Sequence, residues 1–126
     1  MNQQGFATLE VILMVTVIGI LAAVAVPRFT DVTAKANTAK VQADLSTLDS
    51  AIAIYQMENG AAPSSLSDLS DYVQDIDNVE PPTGKIFIKG QTSAQDMPAA
   101  AYSIGTDSNS NTRAMLGSYT ATSFGK

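Results

Sequence analysis

From Phe6 to Val26 the chain reads FATLEVILMVTVIGILAAVAV, an apolar run in which Glu10 is the one charge. A helix of this run is apolar at every angle, and at 1.5 Å per residue it reaches about 31 Å, enough to cross the hydrocarbon of a bilayer. The pattern then changes. Val41, Leu45, Leu48, Ile52 and Tyr55 recur at alternating spacings of four and three, with Lys40, Asp44 and Asp49 between them. This spacing predicts an amphipathic helix with a buried apolar stripe and a polar face toward water. Asn59-Gly60 suits a left-handed C-cap and Pro63 opposes continuation, so the helix is expected to end near residue 60. Between the two patterns Pro27 removes a backbone donor. Because the helical period resumes beyond it, a kink is expected there rather than a stop. Counted from Phe6, the whole helix would measure about 80 Å.

After Gly60 the helical period fades. Ser65-Leu66-Ser67-Asp68 has the form of a capping box opening a short helix, with Leu66, Leu69 and Val73 turned inward. Glu80-Pro81-Pro82-Thr83-Gly84 is turn chemistry, and Lys85-Ile86-Phe87-Ile88-Lys89 between two glycines reads as a strand. Ala101–Ile104 and Arg113–Thr122 read as two more, joined by a polar hairpin loop over 105–111. Three short strands are marginal alone, but packing on the amphipathic stripe closes a small core. The expected fold class is therefore α+β: a long N-terminal helix packed on an antiparallel sheet of about three strands.

Composition narrows the chemistry. The chain has 126 residues, of which 45% are hydrophobic and 15% charged, and the apolar ones crowd toward the N-terminus. It contains neither Cys nor His, which removes thiol nucleophiles, imidazole bases, zinc-finger ligand sets and disulfides. A formal net charge of -5 disfavours nucleic-acid binding through a broad basic surface. For the apolar run, a buried core helix fails because the remaining chain can hardly cover it on all sides. Two readings stay open: a transmembrane helix, and a secretory signal cleaved after Ala25 in the small-x-small tripeptide Ala23-Val24-Ala25. Against the second stand the run's length, its acid, and a start, Met1-Asn2-Gln3-Gln4, without Lys or Arg.

Glu10 is the most informative single residue. An ionised carboxylate in hydrocarbon is costly unless paired, and no Lys or Arg precedes it. Either it sits in the headgroup layer or another chain supplies its partner. A free α-amino group at Phe6, one turn earlier on a neighbouring staggered chain, would be such a partner.

Gly5-Phe6-Ala7-Thr8-Leu9-Glu10, the apolar run, and Ala25-Val26-Pro27-Arg28-Phe29 together resemble the class III signal and N-terminal helix of type IV pilins and their pseudopilin relatives. Tyr55-Gln56-Met57-Glu58-Asn59-Gly60-Ala61-Ala62-Pro63 is similar to the helix-end signature Y-x-x-x-N-G-x-x-P of the same proteins. The resemblance implies the pilin fold and a prepilin peptidase that cuts between Gly5 and Phe6 and N-methylates Phe6. It also implies that Glu10 pairs with the Phe6 amine of an adjacent subunit, and that Gly19 and Pro27 loosen or kink the helix. The implied segments are a leader over 1–5, a membrane and filament-core helix over 6–29, an amphipathic helix over 30–60 and a head over 61–126. One departure is that the leader lacks Lys and Arg while Arg28, Lys35 and Lys40 come after the span. Loop charge alone would then orient the helix the other way, and the cleavage motif outweighs it.

Two further patterns read as solvated surface. Asp107, Asn109 and Asn111 alternate oxygen side chains like the start of a calcium loop, but the glycine and the distal glutamate are missing, which favours a solvated hairpin tip. Asp68, Asp71, Asp75 and Asp77 read as a solvated acidic face without nucleophile or groove. The resulting expectation is a structural subunit of a type IV pilus or pilus-like filament, not an enzyme, with no cofactor and no small-molecule substrate. Its partners are further copies of itself, the membrane, the prepilin peptidase and the assembly machinery, in a filament serving adhesion, twitching motility or secretion. DNA uptake has no support beyond the family. The precursor is expected as a single-pass protein of the cytoplasmic or inner membrane, and the assembled subunit in an extracellular filament. The alternatives are a pseudopilin of type II secretion or competence, the former lowered by the absence of Trp, and a secreted binding domain released after Ala25.

Overall fold

The computed structural model describes residues 3–126, and for residues 24–28 the backbone alone. Met1 and Asn2 of the expected leader lie outside the described residues. Helix α1 runs Gln3–Asn59, through Pro27, whose side chain lies outside the description together with the kink expected there. The chain divides into two compact units, one reaching to Val32 and one spanning Thr33–Lys126.

In the first unit the large apolar side chains of α1 from Phe6 to Leu21 are all more than half exposed, from 53% at Phe6 to 65% at Ile18. The polar hydroxyls here turn inward on the helix itself: Thr8 donates to the Gln4 carbonyl at 2.9 Å and Thr16 to that of Ile12 at 2.8 Å. They present no unmet donor to an apolar surrounding. The stretch Gln3–Ala23 is long and apolar enough to cross a membrane.

In the second unit the apolar stripe is covered. Val41, Leu45, Leu48 and Ile52 are buried, Ala34 and Ala51 extend the stripe, and Tyr55 packs at its edge. Their cover comes from Leu69, Ile76, Ile86, Ile88, Tyr102, Ala114, Leu116 and Phe124. A single 3-10 turn over Leu66–Leu69 replaces the short helix expected there, with Leu69 buried and Leu66 and Val73 half-buried.

The strands differ from the expected sheet of about three. The α+β layout stands, but the head holds two separate two-stranded antiparallel ladders: β1 (Lys85–Ile86) with β2 (Gln95–Asp96), and β3 (Tyr102–Thr106) with β4 (Thr112–Leu116). The segment 85–89 changes partner midway. After Ile86 it leaves β2, and Phe87–Lys89 bonds the C-terminal segment, Lys89 N–H to the Ser123 carbonyl at 2.9 Å and Gly125 N–H to the Phe87 carbonyl at 3.0 Å. The strand expected to continue to Thr122 stops at Leu116. Gly117 adopts φ +63 and turns the chain back, so that Leu116 and Tyr119 exchange hydrogen bonds.

Candidate functional site

Gly5, Phe6, Glu10 and Gly19 all lie on the exposed part of α1. Phe6 and Glu10 are one turn apart and so share a face. Glu10 makes no ion pair among the described residues, and the surface beside it is formed by Leu13, Met14, Val17 and Ile18. A carboxylate against such a surface has no charged partner among the described residues to offset its burial in an apolar medium. A side chain built at Gly5 or Gly19 would meet no atom within 4 Å, so packing inside the chain does not require glycine at either place.

The second half of α1 holds its head through polar residues flanking the stripe. Asn37, buried, donates from its amide to the carbonyls of Thr83 at 3.1 Å and Lys85 at 2.8 Å. The Thr38 hydroxyl donates to the Ala34 carbonyl at 2.7 Å and accepts from Phe87 N–H at 2.9 Å. Gln42 donates to the Phe124 carbonyl at 2.9 Å. Asp44 accepts from the Tyr102 hydroxyl at 2.6 Å and the Lys40 ammonium at 2.5 Å. Asp49 accepts from Ala114 N–H at 2.8 Å and pairs with Arg113 at 3.6 Å. This corrects the expected water-facing role of Asp44 and Asp49: both are half-buried and tie the helix to β3 and β4, whereas Lys40 is exposed. The overlooked signal is position. Each of these short polar residues directly precedes or follows a stripe position or lies one turn from it, close enough to cap exposed backbone of the head.

The oxygen-rich loop between β3 and β4 is organised by Asp107. Its carboxylate accepts from the N–H groups of Asn109 at 2.8 Å and Asn111 at 2.9 Å and from the Arg113 guanidinium at 3.3 Å. These donors, the Asn111 N–H foremost, hold the Asp107 carboxyl below its ordinary range. Arg113 lies between Asp107 and Asp49 at the edge of a polar cleft of about 220 Å³. Asp107, Asn109 and Asn111 thus come together as a hydrogen-bonded turn, and no group of three or more His, Cys, Asp or Glu fit to hold a metal occurs among the described residues. Of the acidic run, Asp71, Asp75 and Asp77 are exposed, but Asp68 is half-buried and accepts from the backbone and hydroxyl of Ser64, each at 2.9 Å. The Ser64 hydroxyl, with the backbone N–H groups of Ser64 and Ser65, lowers the Asp68 carboxyl below its ordinary range.

No protein-family profile matches the chain, and no solved structure matches it. Among curated proteins it is similar to the type IV narrow pilus major component PilA5 of Thermus thermophilus, 41% identical over 64 residues, which is 51% of this chain and 55% of that protein. It is also similar to type II secretion system core protein G of Vibrio cholerae, 34% identical over 80 residues, 64% of this chain and 55% of that protein. The Escherichia coli core protein G is 31% identical over 73 residues, 58% of this chain and 50% of that protein. The chain spans about half the length of the curated relatives it matches.

Proposed function

We propose that this chain is a structural subunit of a type IV pilus or pilus-like filament. One observation carries the reading: the large apolar side chains of α1 from Phe6 to Leu21 are all more than half exposed and no described residue covers them, while the stripe from Val41 to Ile52 is buried. A sequence organised in this way needs a second apolar environment for its first half. Lipid supplies it for the monomer, and the helices of other subunits supply it in the filament. The relatives support the reading, since PilA5 and core protein G are components of a pilus and of a secretion system.

In this reading residues 1–5 are a leader, 6–29 the membrane and filament-core helix, 30–60 the amphipathic helix and 61–126 the head. A prepilin peptidase cuts between Gly5 and Phe6 and methylates the new amine. Glu10 then meets the Phe6 amine of an adjacent subunit, and Gly19 and Pro27 give the helix its looseness. The chain catalyses nothing. It waits in the cytoplasmic or inner membrane with its head outside and functions in the assembled filament. A pseudopilin of type II secretion is the second reading, favoured by the several core protein G relatives.

Mass spectrometry of the N-terminus from sheared filaments tests the proposal. A mature chain beginning at N-methyl-Phe6 is expected, and a bulky residue at Gly5 is expected to leave precursor in the membrane. A chain starting at Met1 or at Val26 would overturn it, the latter in favour of a secreted domain.

A further inference from the structure

Helix α1 ends on an exposed pair, Asn59-Gly60, and Asn59 is the one asparagine of the sequence that a glycine follows. Such a pair can react with itself. The Gly60 amide nitrogen is next in the chain to the Asn59 carboxamide, and without a Cβ on Gly60 little hinders its approach to Asn59 Cγ. The fold engages both reactants elsewhere. Gly60 N–H donates to the Gln56 carbonyl at 2.9 Å, and the Asn59 carboxamide donates to the Tyr55 carbonyl at 3.1 Å. Gly60 is held at φ +72, and Pro63 is buried, so the exposed residues 60–62 are pinned at both ends. Ring closure between Asn59 and Gly60 therefore requires both hydrogen bonds to open, which amounts to local unfolding of the last turn.

We propose that Asn59 is a deamidation site that the end of α1 holds shut, so that its modification marks chains whose helix end has opened. In the open state the Gly60 amide nitrogen gives up its proton to water and bonds Asn59 Cγ. The Cγ–Nδ2 bond breaks as Nδ2 takes up a proton and leaves as ammonia. Water then cleaves one of the two carbonyl–nitrogen bonds of the five-membered succinimide, leaving aspartate or isoaspartate at position 59. Either product opposes reclosure. The donor to the Tyr55 carbonyl is lost, and a second carboxylate joins Glu58 at the negative end of a helix whose last turn holds no basic residue. The same turn anchors the segment beyond it, since the Tyr72 ring meets Tyr55 edge-on and the Tyr72 hydroxyl donates to Glu58. Opening it loosens that anchor. The other exposed asparagines among the described residues, Asn78, Asn109 and Asn111, precede Val, Ser and Thr, whose side chains hinder the attacking nitrogen. The inference stands on the fold of the unit Thr33–Lys126 and does not depend on the filament reading.

The test follows deamidation at each asparagine by peptide mapping and mass spectrometry, with the full-length chain kept in mildly alkaline buffer, either folded in detergent micelles or unfolded in concentrated urea. Asn59 is expected to react first in urea and about tenfold or more slowly in the folded chain, because two hydrogen bonds must open there together. Equal rates in the two states would overturn the closure. An Asn59 that stays intact in urea, or reacts there after Asn109 or Asn111, would overturn the site. The variant Asn59→Asp reads the consequence. Amide hydrogen exchange at residues 56–60 is expected to quicken about tenfold, with Leu45 and Leu48 unchanged. Exchange at the wild-type rate through this turn would overturn the claim that the product keeps the helix end open.

Discussion

Tyr102 joins burial, a hydrogen bond and a charge in one side chain. It is buried, and its hydroxyl donates to an Asp44 carboxylate that also holds Lys40. Burial first, and the Asp44 carboxylate second, push its phenol well above the ordinary value of 10.0. A group whose folded-state pKa is raised stabilises fully below its unfolded pKa and loses that contribution as pH climbs toward the folded value. Tyr102→Phe is therefore expected to cost about 0.5–1.5 kcal/mol at pH 7, the net worth of one hydrogen bond. It is also expected to weaken the alkaline loss of stability that sets in above about pH 10. Urea denaturation at pH 7, 10 and 11 checks both. An alkaline decline in the variant as steep as in wild type would assign it instead to Tyr72, whose phenol is raised by its bond to Glu58.

At the scale of elements, the head depends on the irregular segment beyond its last strand. Phe124 is fully buried, meets Tyr119 with ring centroids 5.8 Å apart, and belongs to the core cluster of the helical stripe. Phe124→Ala is expected to cost about 3–5 kcal/mol, through lost transfer energy and the cavity left behind. Thermal unfolding measures it, and a loss below about 1 kcal/mol would show that the C-terminal segment merely rests on the core. The stripe of α1 was legible because a helical period repeats locally, every turn restating which face is apolar. The proposal for Gly5, Phe6 and Glu10 likewise rests on a motif contained in consecutive residues. Phe124 and β2 were not. Gln95–Asp96 carries no apolar alternation, and its pairing with Lys85–Ile86 is set by backbone groups that composition does not reveal. Asp44 and Asp49 were misread because a helical wheel places them beside the stripe without indicating that Tyr102, Arg113 and Ala114 N–H would arrive above them.

For the molecule as a whole, the two halves of α1 obey different rules of burial, and Glu10 tests whether the first half is built for assembly. Glu10→Ala or Glu10→Gln removes the one charge from the span, which eases insertion by about 2–3 kcal/mol, so the monomer is expected to stay in the membrane. Assembly is expected to suffer instead. A subunit entering the filament would carry its Phe6 amine into a low-dielectric bundle without a counter-charge, and deleting one partner of a buried pair costs about 3–5 kcal/mol. Acid and amine belong to different chains in this arrangement, so a mixture of wild-type and Glu10→Ala subunits is expected to give filaments that shorten as the variant fraction rises. Electron microscopy of sheared filaments, with membrane fractionation as the insertion control, separates the two effects. Filaments of normal number and length from Glu10→Ala alone would place Glu10 in the headgroup layer and remove the pairing from the mechanism.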